Sequence, residues 1–282
     1  PAAAPARPEP DQLGLFVSKT ARLSKVEAAL REGDLPAAIE RAQEVVQRFD
    51  LPEGRYLAAR LVPVAAQVAA ASADPEQLAQ LAQAPERLVE PSRASVSLAS
   101  AFGRGLHRLT AKAAERRAPG TAVGSMPAGW HWLMADEPEV AELSLEASVA
   151  SGVLVGPSLV LLGNLAWEQG EASAARERYR KAYCLDPEKA SSVEPVDPSV
   201  AELIDDVLEL ELELEPPAEW LPMVGYLRGV FNLHPEAQGQ GGCREFHQAL
   251  LSSRRGDLAG GRRRMRELAP LLFEALREEG KL

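Results

Sequence analysis

The sequence predicts an all-α protein, an α-solenoid in which antiparallel helix pairs stack along the chain in a degenerate or interrupted array. Three observations predict it. Alanine and leucine dominate while Ile, Thr and Tyr are few and aromatics scarce, so intrinsic preference favours helix almost everywhere. From Asp11 onward apolar residues recur at helical spacing, with turn signals roughly every 15 residues. One turn chemistry also recurs, around Gly33, Asp136, Gly170 and Gly256, where Gly or an acidic residue closes one helix and opens the next.

Each element follows from local signals. "PAAAPARPEP" is a Pro/Ala-rich arm, residues 1–10, too poor in bulky apolar side chains to order itself. Residues 11–118 form an N-terminal block of helix pairs, in which Asp74 and Pro75 suit an N-cap and a first turn. "APGTAVGSMPAG" stops the helix before it, and residues 119–128 are a linker. Residues 129–189 form a central block, and 190–282 a C-terminal block closed by an amphipathic capping helix, "RMRELAPLLFEALREEG". "VLELELELEPP" alternates with period two, as a half-buried strand does. Val200, Leu203, Ile204, Val207 and Leu208 nevertheless trace a helical face after the Asp197-Pro198 start, so the stretch reads as a helix ending near Glu215.

Composition narrows function. The 282 residues are 46% hydrophobic and 26% charged, with a net charge of -10, and a surface this acidic argues against nucleic-acid binding. The longest apolar run is broken by Gly152, Gly156 and Pro157, so no membrane insertion is expected. Two cysteines far apart, Cys184 and Cys243, make no disulfide framework. Cytoplasm is the expected compartment; the starting "PAAAPAR" also suits a periplasmic protein after signal removal.

Candidate chemistry is sparse. Cys243 and His247 share a helical face, but two ligands do not complete a metal shell, so a partly buried Cys and a surface His are expected. His131 stands between Trp130 and Trp132 in a stretch that reads as core or interface; no nucleophile elbow occurs. "GQGGC" lacks the Lys-Ser/Thr of a phosphate loop. No catalytic residue, metal or cofactor is expected. Arg104, Arg108, Lys112 and Arg116 recur every four residues as a basic stripe, and Arg262, Arg263, Arg264 and Arg266 form a second cluster. The stripes either attract an acidic partner segment or pair internally with Glu202, Asp206, Glu209 and Glu213.

In the central block, "LVLLGNLAWEQGEASAARERYRKAYCLDPEKA" resembles a tetratricopeptide repeat, clearest over 156–189 and degenerate elsewhere. Leu162-Gly163, Ala175, Tyr179, Ala182 and Pro187 fall on that family's Leu-Gly pair, small residue, aromatic, second alanine and closing proline. Leu159 and Ala166 depart from its usual tryptophan and tyrosine. Gly163 and Ala175 let two helices approach, Tyr179 fills the space beside them, and Pro187 ends the second helix. The other segments fit α-solenoid families more widely.

The resemblance implies that Val160, Asn164 and Trp167 line a concave groove, with Asn164 placed to hydrogen-bond an extended partner backbone. Alternatively Asn164 sits on a solvated face and Trp167 packs between repeats. The expected function is a non-catalytic scaffold or adaptor binding a protein or peptide in that groove. A second reading is a regulatory or substrate-recruiting subunit of an enzyme assembly, or a divergent helical enzyme.

Overall fold

The computed structural model describes residues 23–49, 51–93, 95–209 and 217–282. The arm at 1–10, the helix expected from Asp11 and the helix end near Glu215 lie outside the described residues, as does Glu213. The regular structure among the described residues is helical apart from two two-residue strands, and the helices pack against their neighbours in sequence. Packing gathers the described residues up to Gly124, with His131–Ala141, into one compact unit, and Ser125–Trp130 with Glu142–Leu282 into a second.

The first unit contains α1 (residues 23–31), α2 (Leu35–Phe49), α3 (Pro52–Ala71), α4 (Pro75–Ala82) and α5 (Val96–Arg117). Gly33 makes the first turn in the left-handed region, φ 73°, which costs glycine least, and the Asp34 side chain accepts from the Ala37 N–H. Asp74 caps α4 by accepting from the Glu76 N–H, with Pro75 beginning the helix as expected. Helices α2 and α3 pack as one pair, α4 and α5 as another. Val26, Leu30, Leu57, Leu61, Leu78, Phe102 and Leu106 form their shared core. Each such side chain contributes about 1.5–3 kcal/mol on leaving water. At Gly105 two backbones meet, since a Cβ there would stand 1.9 Å from the Leu30 carbonyl oxygen.

Strands β1 (Ala122–Val123) and β2 (Met126–Pro127) lie within the expected linker, followed by α6 (Ala128–Met134) and α7 (Pro138–Ser151). The turn between α6 and α7 is made by Asp136 at φ 67°, a left-handed position that Asp tolerates better than bulkier residues.

In the second unit, α8 (Val155–Glu168) and α9 (Ala172–Leu185) make the tightest pair, joined by Gly170 at φ 82°. Ala175, Tyr179 and Ala182 are fully buried between them. A Cβ on Gly163 would come within 2.5 Å of the Tyr179 ring, so the ring occupies the room that glycine leaves. Pro187 is buried where α9 has ended and α10 (Pro187–Ala190) begins. Helix α11 (Pro198–Glu209) starts after Asp197 and buries Val200, Leu203 and Val207, as its periodicity predicts. Helix α12 (Leu221–Leu227) packs against α9 and α13 (Gly241–Arg254).

The expected capping helix is two helices, α14 (Leu258–Leu268) and α15 (Pro270–Glu278). Ala269 between them is extended, φ -152° and ψ 79°, because Pro270 disfavours helical geometry in the residue before it.

Candidate functional site

The α8 face predicted to line a groove is built around Asn164. Its amide makes three hydrogen bonds. Nδ2 donates to the Glu194 carbonyl at 3.1 Å, and Oδ1 accepts from the Val196 N–H at 3.0 Å and from the Tyr179 hydroxyl at 2.7 Å. Asn164 therefore holds backbone of the chain's own segment around Pro195, where the resemblance implies a partner's.

Residues 193–197 lie on this face with alternating burial: Val193, Pro195 and Asp197 point inward, Glu194 and Val196 outward. The segment is irregular, with bends at Val193 and Val196, and the Val193 N–H donates to the Ala190 carbonyl at 3.2 Å. Pro195 has no N–H and biases Glu194 to extended geometry, which leaves one carbonyl and one N–H for the single amide. The Asp197 carboxylate is fully buried and accepts from Arg176 Nε at 2.8 Å and from the Ser199 N–H at 2.9 Å. Arg176 lies over the half-buried Trp167 ring, 5.8 Å from its centroid.

The expected groove residues thus divide. Asn164 and Trp167 belong to one site, Trp167 through Arg176. Val160 is fully buried and faces packing instead of a groove, because the Leu/Val-rich first half of α8 is enclosed on nearly every side. Burial of Tyr179 pushes its hydroxyl up to about 12, so it stays protonated and holds Asn164 in one orientation. Sequence reasoning placed Asp197 and Pro198 at a helix start but missed the docked segment, Arg176 and the ion pair of Arg176 with Asp197; Pro195, which restricts the residue before it, was the available signal.

The basic stripe is paired inside the first unit, with carboxylates other than those expected. Arg104 bonds Asp136 at 2.6 Å, and Arg108 bonds both Glu32 and Glu137. Asp206, expected to face the stripe, bonds Arg228 at 2.8 Å. Arg116 donates to the Lys112 carbonyl at 3.2 Å, and its guanidinium borders an apolar cavity of about 450 Å³ floored by Ala65, Ala66, Ala69 and Leu109. Lys112 is exposed. In the second cluster Arg264 bonds Glu245 and Glu267, and Arg266 reaches Glu274 at 3.8 Å.

His247 is buried, contrary to the expected surface position, because both ring nitrogens are satisfied internally. Nδ1 accepts from the Gln238 N–H at 3.1 Å, and Nε2 donates to the His234 carbonyl at 3.0 Å. Cys243 and Cys184 are buried and unpaired, and burial raises both thiols, Cys184 to about 11. Among the described residues no group of three or more His, Cys, Asp or Glu is arranged to hold a metal. No described helix is long and apolar enough to cross a membrane.

His131 is buried with its Nδ1 2.9 Å from that of His107 on α5, an association the sequence did not suggest. Desolvation lowers His107 to about 4 and His131 to about 3, the latter helped by the neighbouring imidazole. Trp132 beside them is core, its Nε1 donating to Glu115 at 2.8 Å. Comparison with protein-family models, with characterised proteins and with solved structures finds no match to the chain.

Proposed function

We propose that this protein is a non-catalytic helical-repeat scaffold, of tetratricopeptide-like construction in its central pair, which takes up an extended segment of a protein or peptide partner. The observation that supports this reading is the Asn164 amide, which bonds a carbonyl and an N–H two residues apart in one chain segment. A side-chain amide that both donates and accepts reads backbone irrespective of side chains, which is what a peptide-binding face requires. Two buried, unpaired thiols fit a reducing compartment, here the cytoplasm.

The test is direct. A partner identified by crosslinking in cells is titrated calorimetrically against the purified chain, and a saturable, stoichiometric complex is expected. In a chain whose own segment is taken off the face by Glu194→Gly, Pro195→Ser, Val196→Gly and Asp197→Ser, Asn164→Ala and Trp167→Ala each weaken it at least tenfold while leaving the far-ultraviolet circular dichroism unchanged. Unchanged affinity in both variants would remove the α8 face as the binding surface. Substrate turnover by the chain alone would remove the non-catalytic reading.

A further inference from the structure

We infer that residues 193–197 are an intramolecular ligand, and that the α8–α9 face is specific for partner segments of the form apolar-x-Pro-x-Asp, which replace that ligand. The inference rests on the scaffold reading and adds the partner's chemistry and its competitor.

The specificity follows from what each inward residue meets. Val193, Pro195 and Asp197 are buried, so positions one, three and five of a ligand are selected by their side chains. Glu194 and Val196 face outward and contribute only their backbone, the carbonyl of one and the N–H of the other, both to Asn164. Proline suits the third position because it has no N–H to leave unsatisfied on burial and holds its neighbour extended. Aspartate at the fifth meets Arg176, whose guanidinium is held against Trp167. An asparagine there would keep the shape and lose the charge-assisted bond. Tyr179 fixes the Asn164 amide by donating to the same oxygen that accepts from Val196.

The segment is tethered at both ends, by α10 and by α11, so a partner competes with a ligand at high effective concentration, on the order of millimolar for short connections. Uptake is therefore weak until the tethered segment is loosened. Its outward residues leave two positions free to vary in a partner without cost.

The probe is a fluorescein-labelled peptide of residues 191–199, SSVEPVDPS, followed by fluorescence anisotropy. The site is vacated with Glu194→Gly, Pro195→Ser, Val196→Gly and Asp197→Ser, the last keeping a side chain that caps α11. The vacated chain is expected to bind the peptide at least tenfold more tightly than wild type. Adding Asn164→Ala, or changing the peptide's aspartate at the 197 position to asparagine, lowers affinity at least tenfold. A peptide carrying lysine at the 194 position and threonine at 196 binds within about twofold, as an outward orientation requires.

A vacated chain that keeps its circular dichroism yet binds no peptide overturns the inference, and so does equal binding by wild type and vacated chains. Should the vacated chain not fold, hydrogen exchange at the Val196 amide of the intact protein decides. Millimolar peptide is expected to accelerate it at least tenfold, and an unchanged rate overturns the proposal. Saturable partner binding without peptide uptake would remove this inference and leave the scaffold reading standing.

Discussion

Gly163 and Tyr179 are complementary across the α8–α9 contact: a Cβ on Gly163 would stand 2.5, 2.8 and 2.9 Å from three carbons of the ring. Helix propensity alone makes Gly163→Ala favourable by about 1 kcal/mol. The clash is with a fully buried ring, and overpacking of that kind costs about 1–3 kcal/mol. The expected net result is destabilisation, read as a lower urea midpoint with an unchanged slope. Because the displaced ring also carries the hydroxyl that holds Asn164, Gly163→Ala in a Tyr179→Phe background should cost less than in wild type.

Asn164→Ala removes the partner of one buried hydroxyl and of two backbone groups in the docked segment. Each group that fails to find water costs about 1–3 kcal/mol, and the outward-facing backbone will recover part of this from solvent. The expectation is a loss of about 1–3 kcal/mol in urea unfolding. Amide exchange at Val196 should rise well beyond that at Leu161 in the same helix pair, since only the segment is released.

The turns were legible in the sequence because they depend on local chemistry. Gly33, Gly170 and Gly256 sit at positive φ where a side chain would be strained, and Asp136 does the same with a residue that tolerates it. The resemblance of the central pair to a tetratricopeptide repeat likewise implied the contact of Gly163 with Tyr179. What the sequence could not show depends on where separate elements come to rest. His107 and His131 are on different helices, and nothing in either helix's periodicity marks the other. The carboxylates that pair with Arg104 and Arg108 were misjudged because an acidic chain offers many candidates, and tertiary approach selects among them. The docking of residues 193–197 on α8 depends on where the chain goes after Pro187, and only the prolines hinted at a fixed path.

The two thiols should be inert in the folded protein. Burial pushes Cys184 up to about 11 and Cys243 higher than its ordinary value, so at pH 8 very little thiolate is present. A disulfide reagent added to native protein at pH 8 is expected to modify both at least ~100-fold more slowly than in denaturant, since access is blocked as well. Rapid labelling of one thiol per chain under native conditions would show that α9 or α13 opens locally.

The His107–His131 pair makes the first unit sensitive to mild acid. With 2.9 Å between the two Nδ1 atoms, one imidazole donates and the other accepts, and desolvation favours the neutral form of both. Both folded pKa values, about 4 and about 3, lie below the ordinary value of 6.5. On acidification the unfolded chain therefore binds protons before the folded chain does. The stability contributed by neutrality is fully present above about pH 6.5 and is lost as pH falls towards the folded values, at up to about 1.4 kcal/mol per pH unit for each histidine. Carboxylate ion pairs, such as that of Arg104 with Asp136, also weaken towards the acid end of this range, so the comparison must be with a variant. His107→Gln keeps a polar side chain that does not titrate and removes one of the two protonations. Between pH 7 and pH 5 the urea midpoint of wild type should fall more steeply than that of His107→Gln. Parallel profiles would mean that the imidazoles are already accessible to protons in the folded state.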